Sequence, residues 1–382
     1  MKFLHIADLH IGKAVNGFSM LDEQRHVLRQ VTDQVRDESP AAVVIAGDIY
    51  DRAIPSVDAM RVFDDFLTAL AEERVAVLIV AGNHYSPERL AYANRLLRDS
   101  RLYLCGTFEG KPEKVTLSDE YGVVNFWLLP FIRPYAARGL FAEREIETYG
   151  DAIAAAIDTA DIDIRERNIL VSHQFYTKAG LAPLRSESEQ NPIGGLDAVD
   201  ASLIELFDYA ALGHLHGRQK AGADHICYAG SPLKYSFSEI RHVKSATLVT
   251  LGEKGNVKAD QLPLSPLHDM REIKGPIEML MREEIAALAD REDYLRVILT
   301  DEDEIIDPVG KIRSVYPNVM AIDFENARTR IDISDIKPGE EQAEKLSPFT
   351  LFSQFFLETN GTEMGAAQSA IVQELLDAET EA

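Results

Sequence analysis

Two cysteines, Cys105 and Cys227, are all that this 382-residue chain contains. They are too few and too far apart for a disulfide framework or a zinc site, and they fit a reducing compartment. No apolar run approaches the ~20 residues needed to span a bilayer, and the opening segment KFLHIAD has no basic n-region or cleavage site. The expectation is a soluble, cytoplasmic protein. Positive charge is also scarce: 39 Lys and Arg stand against 63 Asp and Glu, a net charge of −24. A protein that grips a phosphate backbone alone normally shows a basic face. A chain of this balance that acted on a phosphate backbone would take its positive charge from bound metal ions or from a partner subunit. Acidity that serves only solubility is the plain alternative.

What the chain does have is ample apolar content, 46% of its residues, and a length beyond one compact domain. The first 250 residues alternate short apolar runs with amphipathic stretches, the pattern of a layered α/β fold. FLHIA, VVIAG, VAVLIVAG, NILVSH and YAALGH read as buried strands. The segments Asp22–Arg36, Ser56–Glu73 and Pro87–Arg98 read as helices, with Ser56 and Ser86 placed as N-caps. KVTLSD, EYG and VVNFWLLP form a hairpin pattern. The boundary LPLSP (Leu262–Pro266) closes a first domain at about residue 265, and a small α+β piece follows over 266–333. Ile336–Lys345 reads as a polar linker. Two amphipathic helices follow within 346–382; the first carries Phe349, Leu351, Phe352, Phe355, Phe356 and Leu357 without an obvious core of its own. Such a face docks on this chain or on another, and pattern alone leaves both open.

Five short motifs sit at carboxyl ends of these strands: ADLH (Asp8, His10), GD (Asp48), GNH (Asn83, His84), SH (His173) and GHLH (His214, His216). In open α/β sheets ligands bind beyond the carboxyl ends of strands, so the five converge on one rim. Imidazole, carboxylate and amide oxygen without thiolate suit Mn²⁺, Fe²⁺ or Zn²⁺ and argue against a purely structural zinc. The spacing Asp8-x-His10, repeated in His214-x-His216, lets alternate residues of a strand end point the same way. Seven donors are too many for one ion and suit two ions sharing a bridging carboxylate. Two ions roughly 3.5–4 Å apart can hold an in-line phosphoryl displacement. Each motif alone would be an ordinary turn or a satisfied structural histidine. His5, His26, His225, His242 and His268 are read as ordinary residues, His5 being the least clear because it lies within the first strand.

The order D-x-H, GD, GNH, H, GHxH resembles the calcineurin-like metallophosphoesterase superfamily. Longer stretches narrow it: GDIYDR (Gly47–Arg52), NHxSPERL (Asn83–Leu90), SHQF (Ser172–Phe175), GGLDAVDASL (Gly194–Leu203), FDYAALGHLHGRQ (Phe207–Gln219) and YAGSPLKYSFSE (Tyr228–Glu239) are similar to the bacterial SbcD family. Those proteins are nuclease subunits of SbcCD complexes, related to double-strand-break repair nucleases. The resemblance implies a four-layer α-β-β-α sandwich over 1–265, a DNA-contacting capping domain over 266–333, and C-terminal helices (346–382) docking on an SbcC coiled coil. It implies Mn²⁺ as the metal, with Asp8, His10 and His216 on one ion, Asn83, His173 and His214 on the other, and Asp48 between them. His84 takes the family's catalytic place, as proton donor to the leaving 3′ oxygen or as stabiliser of the scissile phosphate. It further implies a homodimer through the nuclease domain, joined to two SbcC ATPases and acting on DNA in repair, replication and recombination. The activities implied are ATP-dependent 3′-5′ double-strand exonuclease, single-strand endonuclease and hairpin cleavage.

One position departs from the family pattern GNHD: Tyr85 follows His84. A carboxylate there could orient the imidazole and raise its pKa, which a phenol cannot do at neutral pH. Metal binding is expected to survive and turnover to fall, unless position 85 points away from the site. The competing readings are a free-standing phosphodiesterase or nucleotidase, and a scaffold subunit that keeps its metals but has little turnover.

Overall fold

The computed structural model describes residues 1–84, 86–178, 183–189, 197–327, 329, 347–360 and 362–380. It divides into two units, Met1–Asp269 and Met270–Ala382. The linker Ile336–Lys345 and Tyr85 lie outside the described residues. Among those that are described, no helix is long and apolar enough to cross a membrane.

The first unit is built on two six-stranded sheets. In one, the strands run in the order Val257–Pro263, Ser245–Leu251, Lys2–Ile6, Ala42–Ala46, Ala76–Val80, Leu102–Cys105, and the last four are parallel. In the other the order is Gln219–Lys220, Ile226–Tyr228, Tyr209–Leu212, Arg167–Ser172, Gly122–Leu129, Glu113–Asp119. The four middle strands of that sheet are parallel, and the hairpin read from KVTLSD–EYG–VVNFWLLP supplies its edge, with Asp119 opposite Gly122.

Successive residues of a strand face opposite sides, and here both sides are covered, so the strands read as unbroken apolar runs. Phe3, Val44, Leu78 and Val249 meet Phe126, Leu128, Ile169 and Ala211 between the sheets. Their neighbours Leu4, Val43, Ile45 and Ile79 face the helices Leu21–Glu38 and Val57–Glu72. Leu28, Val31 and Val35 form the buried stripe of the first helix, and Val62, Phe63, Phe66 and Leu70 that of the second. Fully burying each phenylalanine stabilises by roughly 1.5–3 kcal/mol. Ser56 caps the second helix, its side chain accepting from Ala59 N at 3.2 Å. On the far face of the second sheet, the helix Tyr149–Asp158 starts at a Thr148/Asp151 capping box and packs Ile153 and Ala156 with Trp127 and Leu170. The result is the four-layer α-β-β-α sandwich.

One helix read from pattern is shorter than expected. Pro87–Arg98 is broken into Pro87–Leu90 and Asn94–Leu97, because Ala93 adopts a left-handed backbone at φ 62°. Ser86 does not cap the first of these pieces; its hydroxyl bonds Glu88 Oε2 at 2.6 Å instead. In the second unit GPIEMLMREEIAALA yields two single turns, Ile277–Leu280 and Glu283–Ala286, and IIDPVGKIRSVY only Pro308–Arg313, capped by Asp307. These turns lie between three parallel strands, Met270–Gly275, Tyr294–Leu299 and Val319–Phe324, around a core of Leu280, Leu295, Val297, Ile312 and Tyr316. The helices Pro348–Asn360 and Ala366–Thr380 complete the second unit.

Candidate metal centre

Each chemistry-bearing motif of the first unit begins just past the end of a parallel strand: Ile6, Ala46 and Val80 in one sheet, Ser172 and Leu212 in the other. The Asp48 carboxylate lies where they meet. Its Oδ2 is 3.2 Å from His173 Nε2, 3.6 Å from His84 Nε2 and 3.9 Å from His10 Nε2. His10 Nε2 faces His216 Nε2 at 3.0 Å, and His173 Nε2 faces Asn83 Oδ1 at 3.1 Å. Among the described residues, three groups of donor atoms lie close enough to hold an ion: Asp8–His10–His216, Asp8–Asp48–His173 and His10–Asp48–His84. His214 joins differently, as its backbone N–H donates to both Asp8 oxygens at 2.9 and 3.1 Å and its ring stands edge-on to His173.

The pleat does not align these pairs, contrary to the reading from Asp-x-His spacing. Asp8, His10 and Asp48 lie beyond their strands with φ of 54°, 44° and 44°, and His214 has φ 102°. Left-handed backbone is tolerated by Asp and His but costs energy, of order 1–3 kcal/mol where strained. Cross-loop bonds hold it in place: Asp8 N donates to Gly47 O at 3.2 Å and His10 N to Asp48 O at 2.9 Å. Glycine makes the approach possible. A Cβ on Gly213 would run into the Ala46 carbonyl and His173 Nδ1, and one on Gly82 into the Asp48 carboxylate.

A family profile described as calcineurin-like phosphoesterase matches residues 1–218. A second, described as the type 5 capsule protein repressor C-terminal domain of SbcD, matches 266–360. A Staphylococcus epidermidis protein, named as the SbcD component of the SbcCD nuclease, is 30% identical over 383 residues, covering 98% of each chain. The chain belongs to the SbcD-type calcineurin-like phosphoesterases. Among solved structures it is similar to a dimetal phosphatase from Danio rerio, at 16% identity over 69% of this chain and 99% of that one, TM-score 0.38. It is also similar to a phosphopantetheinyl hydrolase from Mycobacterium tuberculosis, at 17% identity over 60% and 90% of the two chains, TM-score 0.34. Likenesses of that depth decide nothing about substrate.

Membership of the metallophosphoesterases implies a metal-dependent hydrolase with divalent ions, and the electrostatics of this SbcD-type centre fit such ions. Burial holds His10 well below its usual pKa, His214 at about 3 and His216 below the usual value, so these imidazoles are neutral and can ligate. Burial and the nearby Asp48 charge push the Asp8 carboxyl well above the carboxylate range, although His173 opposes them. A divalent cation would supply that missing counter-charge. Two buried imidazole nitrogens facing each other at 3.0 Å can share only one proton between them, and both are natural donors to a cation.

His173 behaves differently. Burial would lower its pKa, but the carboxylates of Asp48 and Asp8 and the bond to Ala46 O outweigh it and raise the value to about 9. Below pH 9 the metal-free centre therefore holds a proton on His173 that an ion must displace. Apparent affinity for Mn²⁺ is expected to rise at least about tenfold per pH unit between pH 7 and 9, with the His173 proton among those released. Calorimetry in buffers of different ionisation enthalpy counts those protons, and an affinity independent of pH over this range would contradict the expectation.

Several residues of the SbcD-type centre carried no signal of their own in the sequence. The main-chain carbonyl of Asp51, within GDIYDR, accepts a hydrogen bond from His84 Nδ1–H at 3.3 Å. Gln24, from the first helix, donates to His10 O at 2.8 Å and accepts from Gly12 N at 2.9 Å. Tyr235 donates to Leu9 O. His5 proves structural: it bridges the two sheets, with Nδ1 3.1 Å from Tyr209 Oη and Nε2 3.2 Å from Leu212 O.

Proposed function

We propose that this chain is the nuclease subunit of an SbcCD-type complex, hydrolysing DNA phosphodiesters with two divalent ions, Mn²⁺ foremost. The observation that carries the reading is the placement of Asp48, one carboxylate facing His10, His84 and His173 at 3.9, 3.6 and 3.2 Å. Asp8, His10 and His216 would hold one ion, Asn83, His173 and His214 the other, and Asp48 would bridge them. Bound ions would supply Lewis acidity toward the phosphate and a water of lowered pKa. The protein's own contribution is orientation and a proton. A carbonyl can only accept, so the bond to Asp51 O fixes the His84 proton on Nδ1 and leaves Nε2 to carry the exchangeable one. That nitrogen faces the Asp48 carboxylate at 3.6 Å and would deliver the proton to the leaving 3′ oxygen.

The remaining layout supports a partner-dependent enzyme. Among the described residues, basic side chains of the second unit are largely committed to ion pairs: Arg271–Asp293 at 2.7 Å, Lys274–Glu325 at 2.6 Å and Arg296–Asp323 at 2.6 Å. A capping domain so neutralised would need an SbcC-type ATPase to complete a DNA-binding surface. Phe352, Phe355, Ile371 and Leu375 are exposed on the C-terminal helices and would be the docking face. Ile54, Val57, Met60, Tyr92 and Leu96 are exposed around the helices that begin at Val57 and Pro87, and these two helices would be the homodimer surface. The test is Mn²⁺-dependent degradation of linear duplex DNA, expected only with the ATPase partner and ATP present. Efficient hydrolysis of a chromogenic phosphodiester or nucleotide without any partner would favour the free-standing phosphodiesterase instead.

Tyr85 is proposed to lower turnover without costing a metal. Tyr85→Asp is expected to raise the cleavage rate about tenfold, the lower end for restored support of an active-site histidine. An unchanged rate would show that Asp51 O already orients His84 sufficiently.

A further inference from the structure

The side chain of His216 rests on a relay that ends in a buried ion pair. Ser188 Oγ lies 2.7 Å from His216 Nδ1 and donates to Glu239 Oε1 at 2.5 Å. Glu239 Oε2 accepts from Lys244 Nζ at 2.6 Å, and Lys244 also donates to His216 O and Ser231 Oγ, each at 2.9 Å. Glu239 is fully buried and Lys244 nearly so. A buried ion pair seldom adds net stability, because desolvating both charges offsets their attraction. Its position behind a metal-facing imidazole gives it another use.

The proton count fixes the direction of the relay. A carboxylate paired with an ammonium group only accepts, and a serine hydroxyl has one proton. That proton goes to Glu239, so Ser188 Oγ can only accept from His216. Nδ1 must therefore carry hydrogen, and the Nε2 lone pair is left facing the side where Asp8 and His10 stand. The backbone of His216 is held from the same two segments: Glu189 Oε1 accepts from His216 N at 2.7 Å, and Lys244 takes the carbonyl. Glu187 N donates to Ser238 Oγ at 3.0 Å, tying the segments together. His173 and His84, by contrast, direct Nδ1–H to main-chain carbonyls.

We propose that Ser188, Glu239 and Lys244 are positioning residues that fix the tautomer and ring angle of His216, and so set the affinity of the Asp8–His10–His216 subsite separately from the other. The inference rests on the two-ion reading of the centre. It assigns to 186–189 and 239–244 the support of one metal, a role that the strand-end motifs do not reveal.

Mn²⁺ titration of the full chain by calorimetry, alongside thermal melting, tests it. The unsubstituted protein should take up two ions. Ser188→Ala should melt as the parent does and bind one of the two ions 10–100-fold more weakly, the usual cost of losing support behind a ligand. Ser188→Thr, which keeps the hydroxyl, should restore that ion. The double variant Glu239→Gln/Lys244→Met, which removes both buried charges together, should weaken the same ion. Two ions bound as tightly by Ser188→Ala as by the parent would overturn the relay and leave the two-ion centre standing. Equal loss of both ions together with a lowered melting temperature would reduce Ser188 to a structural role and also overturn it. Fewer than two ions on the parent protein would remove the two-ion reading, and the relay with it.

Discussion

Asp48→Asn is expected to lower DNA cleavage by about 10³-fold or more and to reduce bound Mn²⁺ from two ions to at most one. The asparagine keeps the volume of the side chain, and its carbonyl can still accept from His84 N, as Asp48 Oδ1 does at 3.2 Å. What is lost is the negative charge between His10, His84 and His173. Charge neutralisation by bound ions is worth several kcal/mol at a phosphoryl transition state, and three decades in rate correspond to about 4 kcal/mol. The substitution also removes the main reason that the His173 pKa stands at about 9. Metal uptake by the variant should therefore release fewer protons per ion than the parent near pH 7. Metal analysis and single-turnover cleavage on the same preparation check both parts, and a variant with two ions and the parent rate would exclude Asp48 as the bridge.

His84→Gln should behave oppositely in one respect: both ions stay, while cleavage falls by about 10²–10⁴-fold, the range for a lost general acid. His84 contacts the centre through Asp48 and is held from behind by Asp51 O, so glutamine can occupy the place without opening the cage. The fall should appear in kcat, with KM for DNA little changed, because the proton moves only in the transition state. A variant that cleaves at the parent rate would remove His84 from the reaction. One that loses metal would make it a ligand, as the grouping His10–Asp48–His84 allows.

How much of this was legible in the sequence depends on the length scale of the signal. The strands were readable because those of both parallel sheets are buried on two faces, leaving runs such as AVVIA and AVLIV with no polar interruption. The long helices were readable from stripes such as Leu28, Val31 and Val35. Pro87–Arg98 misleads because its composition is helical while Ala93 turns left-handed, which local propensity does not encode. The strand-end residues lie around Asp48 in the structure, but not for the reason that Asp-x-His spacing suggests: the loops bend Asp8 and His10 inward through left-handed backbone. The supporting roles of Ser188, Glu239, Lys244 and Gln24 are not legible in the sequence for a simpler reason. Each acts through a partner far away in sequence, Glu239 on a serine 51 residues earlier and Gln24 on Tyr235 211 residues later. No periodicity or spacing reports such a pairing.

Anomalous diffraction at the manganese edge, from crystals of the full chain equilibrated with Mn²⁺, tests the central claim most directly. Two peaks are expected, one contacted by Asp8, His10 and His216, the other by Asn83, His173 and His214, with Asp48 touching both. A single peak, or two peaks that do not share Asp48, would contradict it.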